Sequence, residues 1–223
     1  MATPHPIDSD SLAVALQASG LEWPRPEVLP VVEQYCRALW KENERLNLTR
    51  HLDFPTFVAR DLNDVVQVSK LLRPNEEVLD IGSGGGVPGI VLAILRPDLQ
   101  ITLCESVGKK AEALRRLIEP LPNSVRLYHG RAEDLLELER FDAAIARAIG
   151  PLAKICRWFH EHLLAMGCLL ALKGSRWPQE LAEAKLLPEF KKFQWKLAME
   201  YPMLGTESKA YISKLWAKGA PER

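Results

Sequence analysis

The segment from Val78 to Gly89, VLDIGSGGGVPG, constrains the fold of this chain more than any other stretch. A short apolar run ends at Asp80-Ile81, and five glycines follow within eight residues. The apolar stretch 90–95 comes next and can form a helix. The pattern predicts a strand, a tight turn that offers only backbone, and a helix N-terminus. Because glycine lets the backbone approach a ligand closely and a helix N-terminus presents free amides, we expect a nucleotide-like ligand at this turn.

Composition bounds the rest of the molecule. A chain of 223 residues, 47% hydrophobic and 26% charged, suits one soluble core with a smaller appendage. Its 29 basic and 29 acidic residues balance, so any surface for nucleic acid must be a local basic one. The four cysteines are far apart and form no CxxC pair, which argues against a disulfide framework or a metal site. No apolar run approaches the ~20 residues of a membrane span, so we expect a cytoplasmic protein. We also expect a monomer that binds no metal.

From residue 77 onward, short apolar strands alternate with helical stretches. This alternation predicts an α/β fold with a mostly parallel sheet that is covered by helices on both faces. A closing antiparallel pair, 190–200 and 209–217, is expected at one sheet edge and brings the strands to seven. The other predicted strands are 77–81, 100–104, 124–128, 141–146 and 168–172, and the predicted helices are 89–95, 107–119, 132–138 and 151–165.

The first part of the chain reads as helical. Ser9 or Asp10 can cap a helix that ends at Gly20, and Pro26 opens a longer one reaching about Leu46. A third helix is predicted over 56–72, before Pro74. We therefore expect an N-terminal helical extension, residues 1–74, packed on a ligand-binding core, residues 75–223.

Two ligand fingerprints overlap at the glycine turn. Residues 84–89 satisfy the dinucleotide pattern GxGxxG, with Glu105 about 20 residues further on. Residues 80–86 satisfy the acid-x-Gly-x-Gly-x-Gly pattern of S-adenosylmethionine (SAM) methyltransferases, which makes Gly82 and Gly84 cofactor-binding candidates. Asp80 decides between them, since a carboxylate repels a diphosphate but suits the ammonium and sulfonium of SAM. The sequence predicts a Rossmann-like SAM-dependent methyltransferase fold, although Asp80 alone also reads as a helix cap.

Two further candidate positions follow the second and third predicted strands. Glu105 ends the second strand, where it can accept both ribose hydroxyls of an adenosine or remain an exposed strand-end acid. In the segment 131–134, RAED, an acid and a backbone amide can read adenine, or the acids can simply favour a helix first turn. We leave both pairs of readings open.

Arg147 ends the fourth strand, where a transferred methyl group should point. Enzymes that methylate exocyclic amines carry an Asp/Asn-Pro-Pro-aromatic tetrapeptide there, and those that methylate pyrimidine C5 need a nucleophilic cysteine. Neither is present, because Cys156 lies in an amphipathic stretch and reads as core. Arg147 suits a phosphate, a carboxylate or a base carbonyl; alternatively it pairs with an acid such as Asp80.

The chain resembles the RsmG (GidB) family, bacterial methyltransferases of small-subunit ribosomal RNA. The resemblance covers roughly residues 40 to 216 and implies SAM-dependent methylation of guanine N7 in 16S-type rRNA. It further implies that Gly82, Val87, Ala132, Glu133 and Arg147 bind the cofactor. The motifs that carry it are WKENERLNLT (40–49), DIGSGGGVPG (80–89), ESVGKK (105–110), RAED (131–134), IARA (145–148) and ALKG (171–174).

One segment departs from the family pattern. Relatives usually show Arg-His-x-x-Asp-Ser, whereas this chain has Arg60-Asp61-Leu62-Asn63-Asp64-Val65. Arg60 and Asp64 match, but Asp61 and Val65 replace the histidine and the serine. The departure indicates adjusted substrate contacts or an altered target.

The implied chemistry is undemanding. Guanine N7 is an unprotonated lone pair at neutral pH, so no general base is needed and positioning suffices. This agrees with histidines that look isolated in the sequence, His51 and His129 among them. Arg147 and Lys173 are the catalytic candidates because arginine and lysine read N7 and O6 well, and Asp64 can balance the purine's new charge.

Local basic residues are the candidates for RNA phosphates. We expect contacts from Arg60, Lys109, Lys110, Lys173 and Arg176, whereas 115–116 and 191–192 read as solvated faces. A net-neutral protein should bind free RNA weakly, so the partner is expected to be small-subunit rRNA within a ribosomal particle. The alternatives are a small-molecule methyltransferase with the N-terminal helices as a lid, and a non-catalytic SAM- or nucleotide-binding module.

Overall fold

Seven strands form one sheet in the order β3-β2-β1-β4-β5-β7-β6 in the computed structural model, which describes residues 11–222. β1 to β5 are parallel, and β7 lies antiparallel between β5 and β6. The predicted α/β class and the closing antiparallel pair are confirmed. The strands are β1 Glu77–Ile81, β2 Gln100–Glu105, β3 Arg126–His129, β4 Ala143–Arg147, β5 Leu169–Lys173, β6 Phe193–Pro202 and β7 Lys209–Ala217.

The connecting helices match the prediction closely, except for the one after β4. The prediction ran to residue 165, but the helix ends at Phe159. The chain must turn there because the Phe141 amide donates to the Ala165 carbonyl at 2.8 Å, which lays residues 165–167 alongside the start of β4. Four α-helices precede β1 in the described residues, so the connecting helices are numbered from α5. They are α5 Gly89–Leu95, α6 Gly108–Ile118, α7 Ala132–Leu138, α8 Leu152–Phe159 and α9 Trp177–Lys185.

The N-terminal helices are α1 Leu12–Ser19, α2 Leu29–Asn43, α3 Phe54–Phe57 and α4 Asn63–Ser69. Ser11 caps α1, and Gly20 ends it in the left-handed region at φ 69°. The proposed caps Ser9 and Asp10 lie outside the described residues. The single helix predicted over 56–72 is instead interrupted by a π-helical turn, Val58–Leu62, between α3 and α4. That turn carries Asp61.

The strands present alternate residues to two apolar layers. In β4, Ala143 and Ile145 face the layer that includes the N-terminal helices and α5, whereas Ala144 and Ala146 face the layer of α7 and α8. Arg147 continues the first set, so strand periodicity points it toward the N-terminal helices. In β1, Asp80 shares the face of Val78, which belongs to the same layer.

No helix among residues 11–222 is long and apolar enough to cross a membrane.

Candidate active site

A cavity of about 1040 Å³ opens where the parallel strands end. The glycine turn, the ends of β2, β3 and β4, and the N-terminal segment around 47–51 all contribute to its wall. Ligands of α/β folds bind at this edge, outside the carboxyl ends of the strands.

The glycine turn supplies one wall through its backbone. Gly82 and Gly84 have φ values of 69° and 55°, a region that other residues rarely adopt, and both line the cavity with Val87. The Tyr35 hydroxyl of α2 donates to the buried Gly85 carbonyl at 2.7 Å. The N-terminal helices therefore fix the shape of the turn.

Asp80 lies behind this wall and does not line the cavity. Its side chain is buried, and Oδ2 accepts a hydrogen bond from the Gly89 amide at 3.1 Å, at the start of α5. Burial raises the pKa of Asp80 to about 6, although the contacts with Ser83 and Gly89 oppose the rise. The Asp80 carboxylate contacts the first amide of α5, as the helix-cap interpretation predicts. It can therefore act on a ligand in the cavity only through its charge, across the glycine turn.

Glu105 joins the glycine turn to the end of β2. Its Oε2 accepts from the Gly84 amide at 3.0 Å and its Oε1 from the Val107 amide at 2.8 Å. The residue is buried, and its neighbours Cys104 and Ser106 line the cavity. Each carboxylate oxygen has a second acceptor site, so a ribose hydroxyl can still be bound there.

The turn after β3 brings Ala132 and Glu133 to the cavity wall. Glu133 and Asp134 also occupy the first turn of α7, and the Glu133 carboxylate pairs with Arg131. Both readings of this acidic pair thus fit the same geometry.

Arg147 lines the cavity at the end of β4, next to the strand that leads into the glycine turn, and is held by two carboxylates. Its Nη2 is 2.6 Å from Asp61 Oδ1, and its Nε is 2.9 Å from Asp64 Oδ2. The Tyr201 hydroxyl donates to Asp64 Oδ1 at 2.7 Å. Asp61 and Asp64, not Asp80, are therefore the acids that partner Arg147.

The same cluster contains an imidazole. His51 Nδ1 lies 2.6 Å from Asp61 Oδ2, so the interpretation of His51 as isolated is wrong. Asp61, the residue that departs from the family pattern, bridges His51 and Arg147. The departure therefore lies inside the cavity, next to the candidate for the transfer site.

Burial and charge act against each other in this cluster. Burial opposes the charge of Arg147, but Asp61 and Asp64 outweigh it, and the pKa of Arg147 is raised above its usual value. Burial raises the pKa of Asp64, and the neighbouring Arg147 and Tyr201 partly offset the rise. The pKa of the Tyr201 phenol is raised by burial and by Asp64. The guanidinium is thus a permanent cation in the cavity wall.

Lys173 does not reach the cavity. Its Nζ donates to the Gly150 carbonyl at 2.6 Å and lies 3.0 Å from Glu180 Oε2. That oxygen also accepts from the Leu152 amide at 2.9 Å, at the start of α8. The lysine is buried beneath the loop that follows Arg147, so its contacts are those of a residue that positions the loop.

The candidate RNA-binding residues are placed unevenly. Lys110 lines the cavity, and Lys109 is exposed beside it at the start of α6. Arg176 is exposed but away from the cavity lining. Arg60 is half-buried, and its Nη1 is buried without a hydrogen-bond partner in the described part of the chain.

Burial argues against a cysteine nucleophile at the cavity. Cys104 lines the cavity, but burial raises its pKa to about 12, and that of Cys156 to about 12 as well. The prediction that Cys156 belongs to the core is confirmed. Among residues 11–222, no group of His, Cys, Asp and Glu side chains could hold a metal ion.

Comparison with solved structures gives the fold. A putative O-methyltransferase from Klebsiella pneumoniae superposes with a TM-score of 0.56 at 17% identity, over 94% of this chain and 97% of that one. The tRNA (uracil-54, C5)-methyltransferase of Pyrococcus abyssi, in complex with S-adenosyl-L-homocysteine, gives 0.52 at 20% identity, over 76% and 40%. Both likenesses support the Rossmann-like methyltransferase fold.

Sequence comparison decides the family. The family model described as rRNA small subunit methyltransferase G, GidB, matches residues 29–204. The chain belongs to this GidB family. The ribosomal RNA small subunit methyltransferase G of Rhodopirellula baltica is 45% identical over 197 residues, 88% of this chain and 84% of that protein. The protein of the same name from Thermobifida fusca is 40% identical over 160 residues, 71% and 68%.

Some residues of the site had no signal in the sequence. Tyr35, which supports the glycine turn without lining the cavity, looks like an ordinary core residue of α2. Trp158, which lines the cavity and has Lys154 Nζ 4.6 Å from its ring centroid, looks like a helix-face aromatic. His51 has no motif around it. In the sequence, only the departure from the family pattern at Asp61 drew attention to the residue that contacts His51.

Proposed function

We propose that this protein is a SAM-dependent methyltransferase that transfers a methyl group to N7 of a guanine in small-subunit ribosomal RNA. Membership of the GidB family supports the reaction class and the RNA substrate. The observation that carries the proposal is a fixed arginine at the end of β4, the strand next to the one that leads into the glycine turn, with both lining one cavity.

The residues present fit SAM. The cavity volume suits a ligand of this size, and the turn offers backbone at Gly82 and Gly84 where a side chain would strain the chain. Bound SAM supplies an electrophilic methyl group on a sulfonium. We assign the ribose to Glu105, the adenine to Ala132 and Glu133, and the cationic methionine end to the turn in front of Asp80.

The chain then has little chemistry to perform. N7 attacks without losing a proton, so the protein has to hold N7, the methyl carbon and the sulfur in line. Arg147 contacts its two acids through Nε and Nη2, and the third nitrogen of the guanidinium is Nη1. We assign this group to guanine O6, beside N7. Asp61 and Asp64 place negative charge where the purine becomes cationic.

RNA is proposed to approach over the rim of the cavity. Arg50, Lys110 and Arg131 line the cavity, and the exposed Lys109 is adjacent to Lys110. Arg60 and Arg176 are proposed as outer phosphate contacts, and Lys173 as the residue that positions the loop after β4. Because the chain is net neutral, we propose an assembled or partly assembled small subunit as the substrate, a cytoplasmic monomer as the enzyme, and residues 1–74 as a cover on the core 75–223.

The test is methyl transfer from labelled SAM with three acceptors: unmodified small subunits, rRNA stripped of protein, and a small-molecule extract. We expect label in the RNA of the subunits, less label in stripped rRNA, and none in the extract. Label in the extract alone would support the small-molecule alternative. The absence of both transfer and SAM binding in calorimetry would support the non-catalytic alternative.

A further inference from the structure

One carboxylate holds two groups of the cavity wall. Asp61 Oδ1 contacts Arg147 Nη2 and Asp61 Oδ2 contacts His51 Nδ1, each at 2.6 Å. Asp61 is buried, with 4% of its side chain exposed, whereas 27% of the His51 side chain is exposed. The imidazole and the guanidinium are therefore neighbours, and both line the cavity.

The segment that carries His51 is rigidly tied. Trp40 Nε1 donates to the His51 carbonyl at 2.8 Å, and the His51 amide donates to Thr49 Oγ1 at 3.0 Å. Asn43 Oδ1 accepts from the amides of Leu48 and Thr49 at 2.7 and 2.9 Å. The ring is thus held from both its backbone and its Nδ1 atom.

The contact with Asp61 also selects the tautomer. A carboxylate that is paired with arginine can only accept hydrogen bonds, so the proton of the neutral imidazole is on Nδ1. Nε2 then presents a lone pair, and the structure records no partner for it among residues 11–222. The cavity wall carries a donor from Arg147 next to an acceptor from His51.

This donor and acceptor match one purine. Guanine presents the acceptor O6 beside the donor N1–H, whereas adenine presents a donor amine beside the acceptor N1. We infer that Asp61 orients Arg147 and His51 as a base-selecting pair, in which Arg147 donates to O6 and His51 Nε2 accepts from N1–H of the target guanine. The inference rests on the proposed function and adds to it the residue that rejects adenine.

The pair also acts on the transition state. As N7 forms its bond to the methyl carbon, the carbon–sulfur bond breaks with its electrons left on sulfur, and the purine becomes cationic without moving a proton. The N1–H group grows more acidic as this charge develops. Its hydrogen bond to Nε2 therefore strengthens in the transition state, which favours turnover as well as selection.

The experiment compares wild type, His51→Leu and His51→Gln on small subunits that carry guanosine, inosine or adenosine at the target position. Inosine keeps both O6 and N1–H. We expect His51→Leu to lose about tenfold in kcat/KM on guanosine and inosine, because the hydrogen bond from N1–H to Nε2 is lost. Adenosine has no N1–H, so no loss is expected on it. His51→Gln, whose amide oxygen can replace Nε2, should recover part of the loss.

Two outcomes separate the claims. If wild type labels RNA and His51→Leu keeps the full preference for guanosine over adenosine, the inference is overturned and the proposed function stands. If wild type labels no RNA, both fail. SAM affinity should match wild type in both variants, whereas His51→Leu should lower the melting temperature because the buried Asp61 Oδ2 loses its donor. A loss of SAM affinity would make the nitrogen shifts of wild type decisive. The nitrogen chemical shifts of the His51 ring are assigned by comparison with His51→Gln, in which its signal is absent. They should show a proton on Nδ1, and a proton on Nε2 would overturn the inference.

Discussion

Two parts of the cavity wall use different chemistry. The wall of the glycine turn, residues 82–87, presents backbone, and the buried Asp80 accepts from the Gly89 amide without lining the cavity. The second wall is a cluster of charged and polar side chains around Arg147 and Asp61. Backbone shape suits a cofactor that is the same in every turnover, whereas a side-chain cluster can discriminate between substrates. Damage to the first wall should appear in SAM binding, and damage to the second in turnover and base choice.

The largest effect is expected from Arg147→Ala. The change leaves Asp61 and Asp64 buried without their cation, which should cost about 3–5 kcal/mol in the free energy of unfolding. It should also lower kcat by about 100-fold, since the O6 contact is lost. Urea unfolding and labelled methyl transfer measure the two effects.

Arg147→Lys is the matched control, because it keeps the charge but cannot bond both acids. It should recover more stability than rate. A wild-type rate in Arg147→Ala would remove this residue from the transfer site.

Gly86→Ala should instead distort the glycine turn, to which we assign the cofactor. Gly86 has φ 99°, and a β-carbon there would lie 2.4 Å from Ile90 Cδ1 and 3.1 Å from the Tyr35 hydroxyl. We expect a loss of about 1–3 kcal/mol in stability and at least tenfold weaker SAM binding by calorimetry.

Gly174→Ala is its control, since no atom of the described residues lies within 4 Å of a β-carbon at that position and its φ is not positive. Equal SAM affinities for the two variants would show that the shape of the turn does not matter for the cofactor.

The Asp80 carboxyl gives a pH signature. Because its folded pKa is raised to about 6, its contribution to stability is complete below the unfolded value, near 3.8, and is lost as pH rises through 6. Asp80→Asn should therefore gain stability relative to wild type between about pH 4 and pH 6, by about 1–3 kcal/mol. Thermal melts across this range measure it. A difference that is flat with pH would contradict the assignment.

The smallest effect is expected from Tyr35→Phe. The change leaves the buried Gly85 carbonyl without its donor and should cost about 1–2 kcal/mol in unfolding free energy, with a severalfold loss in SAM affinity. Turnover at saturating SAM and the preference for guanosine should not change. A change in base preference would mean that the two walls are coupled.

The glycine turn could be predicted because its information is local. A strand, a run of glycines and an apolar helix specify their own backbone, and α5 and α7 begin and end at the predicted residues. The cofactor candidates Gly82, Gly84, Val87, Ala132 and Glu133 all lie on the cavity wall for that reason.

The wall around Arg147 could not be predicted in the same way. It joins His51, Asp61 and Arg147 from a loop, a π-helical turn and a strand end that are far apart in sequence. Residue types alone could not tell which acid would meet Arg147: Asp80 was named as one example, whereas the partners are Asp61 and Asp64. Lys173 was placed at the right strand end, but its side chain bonds Gly150 and Glu180 below the loop.

The most direct measurement maps the methylated atom. Small subunits from cells that lack this enzyme are incubated with SAM and the purified protein, and their rRNA is then reduced and cleaved with aniline, which breaks the strand at 7-methylguanosine. The account predicts one new cleavage site, at a guanosine, that is absent without SAM and strongly reduced with Arg147→Ala. Methyl incorporation without any cleavage site, or with label on another base, would contradict it.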